Sequence, residues 1–275
     1  SSQWVRARSR LRYNQALLTQ VALASHRADV LASEHAIAWP VPKADSLRSQ
    51  IDAHLPFELT DSQVQVGEQI AQDLNKTVPM QRLLQGDVGA GKTVVALRAM
   101  AQVVGQGGQC ALLAPTEVLA AQHVSSLKRL LSQVGPINGA QSTKGTQDKG
   151  AQGAELATLP GLEVGAADKV YLLTASMSVP AKRAVLAKLA SGESAIVVGT
   201  HALLSDTVQL PGLGLVVIDE QHRFGVAQRN VLRERGPLDP SGAHTTPHLL
   251  VMTAPPIHRT VAMTVFGALE LQVLE

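Results

Sequence analysis

The chain has 275 residues, enough for one large domain or for a domain with an appendage. A hydrophobic fraction of 45% suits an ordinary globular core, while an aromatic fraction of only 3% argues against stacking platforms for single-stranded nucleic acid. The net charge of +2 gives no global basic surface, so any nucleic-acid contact has to be local. The single cysteine, Cys110, excludes an internal disulfide and a cysteine-cluster metal site, and its place in the run Cys110-Ala111-Leu112-Leu113 reads as core.

In chain order, residues 9–34 carry helical spacing at Leu11, Leu17, Leu18, Val21, Leu23 and Leu31, with Pro40 and Pro42 breaking the pattern. Arg6, Arg8, Arg10 and Arg12 ahead of Ala16-Leu17-Leu18 imitate a signal peptide. Gln20 interrupts the apolar part and the helical pattern continues past it, so an amphipathic helix is expected. No apolar run is long enough to span a bilayer, and no membrane partner is expected. The start at Ser-Ser without Met and the end at Glu275 in a strand-like run lead us to expect a piece of a longer protein. A second helix is expected over 45–54, closed by Pro56, and a third from about Ser62 to Leu74 with Thr60 or Asp61 as N-cap.

From Leu83 onward short apolar runs alternate with helical stretches. The runs centre on Leu83-Leu84, Ala111–Leu113, Val170–Leu173, Ala195–Val198, Leu215–Ile218 and Leu249–Met252. Near-continuous apolar strands separated by helices predict an α/β fold with a doubly wound parallel sheet covered on both faces. Ligands in such sheets bind at the carboxyl ends of the strands, where polar residues follow several of these runs. Residues 135–169 are rich in Gly, Ala, Gln and Thr with little apolar periodicity, and we read them as an extended, mobile insertion.

Residues 86–93, Gly86-Asp87-Val88-Gly89-Ala90-Gly91-Lys92-Thr93, are a full match to the phosphate-binding loop of nucleoside triphosphatases. The glycines let successive backbone N–H groups close round a polyphosphate. Lys92 would reach the β and γ phosphates and the Thr93 hydroxyl would ligate Mg²⁺. A strand before and a helix after place the phosphates at a helix N-terminus. The run Val216-Val217-Ile218-Asp219-Glu220 supplies the complementary carboxylates. Asp219 would hold Mg²⁺ through water, and Glu220 would orient and deprotonate the attacking water. A strand ending in Asp-Glu is weak by itself, because many strands end on solvated carboxylates. Downstream of a phosphate loop the pair is specific.

These strings resemble the first motor domain of superfamily 2 helicases. Leu55-Pro56-Phe57-Glu58-Leu59-Thr60 with Gln63 is similar to the adenine-reading Q motif. Ala114–His123 resembles motif Ia, and Val198–Leu204 resembles a further DNA-facing motif. Asp219-Glu220-Gln221-His222-Arg223-Phe224-Gly225-Val226-Ala227-Gln228-Arg229 is the most specific string. Together they look like the RecG-type helicases, over about residues 9–275 apart from the 135–169 insertion. The translocase module of transcription-repair coupling factors is the nearest alternative, and Gln221 with Gln228-Arg229 favours the RecG type. The primosomal helicases are more distant.

The resemblance implies a RecA-like motor domain over 55–275 preceded by a helical connector over 1–54. It implies an ATP-dependent DNA helicase that remodels branched DNA in recombination and repair, with ATP and Mg²⁺ as cofactors. Gln63 would bond the adenine edge with Phe57 near the base; read alone, Gln63 is a solvated helix residue. Pro115, Thr116, Thr200 and His201 would face the DNA backbone, although His201 serves equally as a capping or packing histidine. For Gln122 and His123 a structural role is expected. Gln221, His222, Arg223, Thr253 and Arg259 would couple hydrolysis to movement, while Arg223 and Arg229 could equally be surface ion-pair partners.

Motif III departs from the family pattern: Thr253-Ala254-Pro255-Pro256-Ile257-His258-Arg259-Thr260 has Pro255 where a hydroxyl is usual and His258 where a proline is usual. That puts coupling efficiency in question and leaves the fold untouched. The partners implied are branched or duplex DNA, a wedge domain and a second motor domain of the same parent chain, and a single-stranded-DNA-binding protein. A monomer in the bacterial cytoplasm, associated with the nucleoid, is expected. A different class of function is a nucleotide-binding module without activity of its own, because the arginine finger of the family comes from the second motor domain and is worth ~10³–10⁵ in rate in comparable enzymes.

Overall fold

The structure is a computed structural model that describes residues 34–134, 165–219, 235–254 and 270–274, together with scattered positions between 4 and 25. Those scattered positions are helical, and among them Leu11, Leu17, Leu18 and Val21 are exposed.

Seven strands form one sheet: β1 (Gln81–Gly86), β2 (Gln109–Leu113), β3 (Val170–Leu173), β4 (Ala195–Gly199), β5 (Leu213–Asp219), β6 (His248–Thr253) and β7 (Glu270–Leu274). Their order is β3-β4-β2-β5-β6-β1-β7, and every pairing is parallel. The helices are α1 (Leu47–Ala53), α2 (Asp61–Leu74), α3 (Lys92–Val104), α4 (Glu117–Leu131) and α5 (Val179–Ala190).

The apolar runs are two-sided, as a covered parallel sheet demands. Leu84, Cys110, Leu112, Ile196, Val198, Leu215, Val217, Leu250 and Met252 turn to one face, where they meet residues of α2, α3 and α4. Leu83, Ala111, Leu113, Ala195, Val197, Val216, Ile218, Leu249 and Val251 turn to the other, under Leu189 of α5. Burial pushes the Cys110 thiol well above its ordinary pKa, which makes it inert core.

Local signals set the helix ends. Ser46 caps α1 by accepting from the Ser49 N–H at 3.2 Å. Thr60, of the two candidates, caps α2: its hydroxyl accepts from Gln63 N–H at 3.2 Å, and Gln63 Oε1 accepts from Thr60 N–H at 3.0 Å. This capping box is worth ~1 kcal/mol per cap.

The segment expected to be a connector packs on α2 and α3 from residue 34 onward. Ala36 N–H donates to Thr77 O at 2.8 Å and Trp39 N–H to Leu74 O at 2.7 Å, while Trp39, Leu47 and Ile51 enter the core under α3. His248, at the start of β6, is fully buried. Its Nδ1 accepts from Met80 N–H and its Nε2 donates to Ile37 O, both at 2.9 Å, so the ring is the neutral tautomer protonated at Nε2. Burial lowers its pKa below the ordinary value of 6.5. A histidine held neutral contributes stability that is present above the unfolded pKa and is lost as pH falls below it, since the unfolded chain then binds the extra proton. Urea denaturation should therefore show stability dropping as pH is lowered from about 7 to 5, and His248→Gln should flatten that slope. An unchanged slope in the variant would assign the pH dependence to other groups.

Of the segment expected to be a mobile insertion, 135–169, the structure describes the last five residues. Ala166–Lys169 forms a 3₁₀ turn with Ala166 buried, and Lys169 Nζ donates to Ser194 Oγ at 2.8 Å. Packing against α4 orders this turn although its composition resembles what precedes it. The rest of that segment lies outside the described residues.

Candidate nucleotide site at the carboxyl edge of the sheet

Because every strand runs the same way, the ends of β1, β2, β4, β5 and β6 present their polar residues at one edge of the sheet. Asp219 is paired with Met252, and Thr253 with Gln85, so Thr253 lies on the strand between the carboxylate and the phosphate loop. Thr253 is buried.

The loop has the backbone that the sequence required. Gly89 has φ of 91° and Gly91 φ of 81°, a region L-residues with a Cβ rarely adopt. A Cβ on Gly91 would also collide with the Gln63 carboxamide. Gly91 occupies the N-cap of α3 and no side chain caps that helix, so its N-terminal N–H groups face the loop as an anion site. Lys92 Nζ donates to Gly86 O and Asp87 O, both at 2.7 Å, which holds the ammonium over the loop. Asp87, Val88 and Gly89 are exposed; Ala90, Gly91, Lys92 and Thr93 are half-buried.

Gln63 is buried, contrary to the solvated alternative. Besides closing the cap of α2, its Nε2 donates to Ala90 O at 2.9 Å and so docks the helix on the phosphate loop. One N–H and one lone pair of the carboxamide stay available for a base edge. Phe57 is exposed.

The Asp219 carboxylate accepts a hydrogen bond from His123 Nε2 at 2.6 Å, a pairing across 96 residues that ties α4 to the end of β5. The sequence gives His123 a structural role on this helix and carries no sign of its partner. Gln122 is exposed. Glu220, Gln221, His222, Arg223, Arg229 and Arg259, with Pro255 and His258, lie outside the described residues.

The expected DNA-facing residues come together. Ala114 N–H donates to Gly199 O at 2.8 Å, which brings Pro115-Thr116 beside Thr200-His201. Thr116 is exposed and caps α4 by accepting from Leu119 N–H at 3.2 Å, leaving its hydroxyl proton to donate. His201 is exposed at the start of a 3₁₀ turn whose N-cap position is Thr200, so it neither packs in the core nor caps that turn. A turn the sequence did not single out completes this edge. Glu117 Oε1 accepts from Ala175 N–H at 2.9 Å, and a hydrogen bond from Ser176 holds its carboxyl below the ordinary pKa.

The fit to a metal nucleotide rests on these residues. An uncapped helix N-terminus, two glycines with positive φ and a lysine make an anion cradle. The Thr93 hydroxyl and the Asp219 carboxylate are hard oxygen donors of the kind Mg²⁺ takes.

A family model described as DEAD/DEAH box helicase matches residues 60–175. The ATP-dependent DNA helicase RecG of Mycobacterium tuberculosis is 47% identical over 270 residues, covering 98% of this chain and 33% of that protein. The protein of the same name from Treponema pallidum is 42% identical over 243 residues, covering 88% and 30%. The structure of RecG bound to a three-way DNA junction superposes with a TM-score of 0.72 at 30% identity, covering 98% of this chain and 30% of that one. The DNA-bound helicase MrfA, with a TM-score of 0.55 at 17% identity, shares the fold. The chain spans about a third of the length of the curated relatives it matches.

Proposed function

We propose, for a chain that belongs to the RecG-type helicases as their N-terminal motor domain, that it binds Mg-ATP at residues 86–93 and, within its parent protein, couples hydrolysis to the remodelling of branched DNA in recombination and repair. The observation that carries the reading is the phosphate loop docked by Gln63 at an uncapped helix N-terminus, on the sheet edge that also bears Asp219.

The roles follow from the groups. Backbone N–H groups of Gly89, Ala90 and Gly91 would cradle the phosphates, and Lys92 would leave the Gly86 and Asp87 carbonyls to pair with the β and γ oxygens. Thr93 and Asp219 would hold Mg²⁺, which supplies neutralisation of phosphate charge. Glu220 would take the proton of the attacking water. Gln63 would read the adenine edge. Pro115, Thr116, Thr200 and His201 would meet backbone phosphates, which position a duplex without reading its sequence. Gln221, His222, Arg223, Thr253 and Arg259 would pass the state of the nucleotide to a second motor domain.

The test is steady-state ATP hydrolysis by the full-length parent with and without a three-way junction. Stimulation by the junction is expected, with Glu220→Gln abolishing turnover while ATP still binds. An unstimulated ATPase, or a Glu220→Gln variant with normal turnover, overturns the reading.

A further inference from the structure

A chain of hydrogen bonds runs from the connector helix to the phosphate loop. Asp52 stands near the end of α1 and takes both Arg98 Nε and Arg98 Nη2, at 2.9 Å and 3.1 Å. Arg98, on α3 and only 4% exposed, reaches the Gln63 carbonyl with Nη1 at 3.4 Å. Gln63 in turn donates to Ala90 O at 2.9 Å inside the loop. Arg98 also meets Glu68 at 3.4 Å, and Glu68 pairs with Arg48 of α1.

The path is built, because α2 has made room for it. Gly67 lies in the interior of α2, where glycine costs roughly 0.5–1 kcal/mol relative to alanine. A Cβ there would run into the Arg98 guanidinium, so the glycine is what lets a buried cation cross the helix. A bidentate arginine–carboxylate pair fixes orientation as well as charge. Asp52, Arg98 and Gly67 all lie outside the strings that resemble helicase motifs.

We propose that Asp52 is a positioning residue for the phosphate loop, acting through Arg98 and Gln63, so that displacement of the connector helix changes nucleotide affinity. The inference rests on the reading of residues 86–93 as the nucleotide site. Its sign sets it apart from a field effect. Removing the Asp52 charge makes the chain more positive, which by simple electrostatics favours an anionic ligand. Loss of positioning does the opposite.

Two measurements on the 275-residue chain test it. Calorimetry with Mg-ADP should show Asp52→Asn weakening binding by about three- to tenfold, and adding nothing further in a Gln63→Ala background, as coupled sites do. Hydrogen exchange of the nucleotide-free protein should show faster exchange at amides 87–91 in Asp52→Asn with the strand amides unchanged. Tighter binding in Asp52→Asn, additivity with Gln63→Ala, or loss of protection spread over the sheet overturns the proposal. Lys92→Ala separates the premise: if it binds Mg-ADP normally, the nucleotide reading fails, and the exchange pattern still decides the positioning claim. Should Asp52→Asn fold poorly, Asp52→Glu, which keeps the charge and shifts the carboxylate, must show the same loop-confined exchange.

Discussion

Replacing Lys92 by alanine is expected to lower the affinity for Mg-ADP and Mg-ATP by about 10- to 100-fold, since a charge-assisted hydrogen bond is worth ~1.5–3 kcal/mol. The fold should tolerate the change. Lys92 is half-buried and donates to the loop carbonyls Gly86 O and Asp87 O, while α3 behind it is held by Val94, Val95, Leu97 and Met100 in the core. Calorimetric titration at one Mg²⁺ concentration, with the melting temperature recorded alongside, checks both halves. Equal affinities for wild type and variant would remove the assignment of the loop.

The second large effect is expected at Asp219. Asp219→Asn removes a charged oxygen donor for Mg²⁺ and weakens the contact with His123 at 2.6 Å. Turnover in the parent protein should fall by ~10²-fold or more, the scale on which loss of a preorganised electrostatic group acts. Nucleotide affinity measured without Mg²⁺ should be unchanged. His123→Ala should weaken the Mg²⁺-dependent part of binding by a smaller factor, because the carboxylate keeps its charge but loses the partner that orients it. If His123→Ala changes metal-free and metal-dependent binding equally, the contact only supports the fold.

The parts legible in the sequence were those that physics writes locally. Six of the strands announced themselves as apolar runs because both faces of a parallel sheet are covered. The phosphate loop was legible because positive φ at Gly89 and Gly91 leaves little choice of residue. Thr60 was one of two named caps for the same reason: a hydroxyl before a helix with Gln three residues on has few other uses. What stayed hidden were contacts between residues far apart in the chain. His123 with Asp219 and Asp52 with Arg98 are pairings across 96 and 46 residues, and neither partner carries a mark of the other. Gly67 was the one trace, an unexplained glycine in a helix whose reason is a side chain from another helix. The turn at Ala166–Lys169 is partly of this kind, since Ala166 is buried against its neighbours, while the Asp168 carboxylate accepts locally from Gly165 N–H.

The placement of β1 has a consequence for synthesis. This strand, which carries the phosphate loop, pairs on one side with β6 and on the other with β7. The bond between Met80 and His248 beside it spans 168 residues. A ribosome adding ~5–20 residues per second needs about 8–30 s to cover that distance. Throughout that interval the emerging strand has both hydrogen-bonding edges open, and pairings this remote form late because their loop closure is costly. The nucleotide cradle is therefore among the first parts of the domain to be made and among the last to be set in place. Until β6 and β7 arrive, Leu83 and Leu84 stand as an unpaired apolar strand that a chaperone would have to shield.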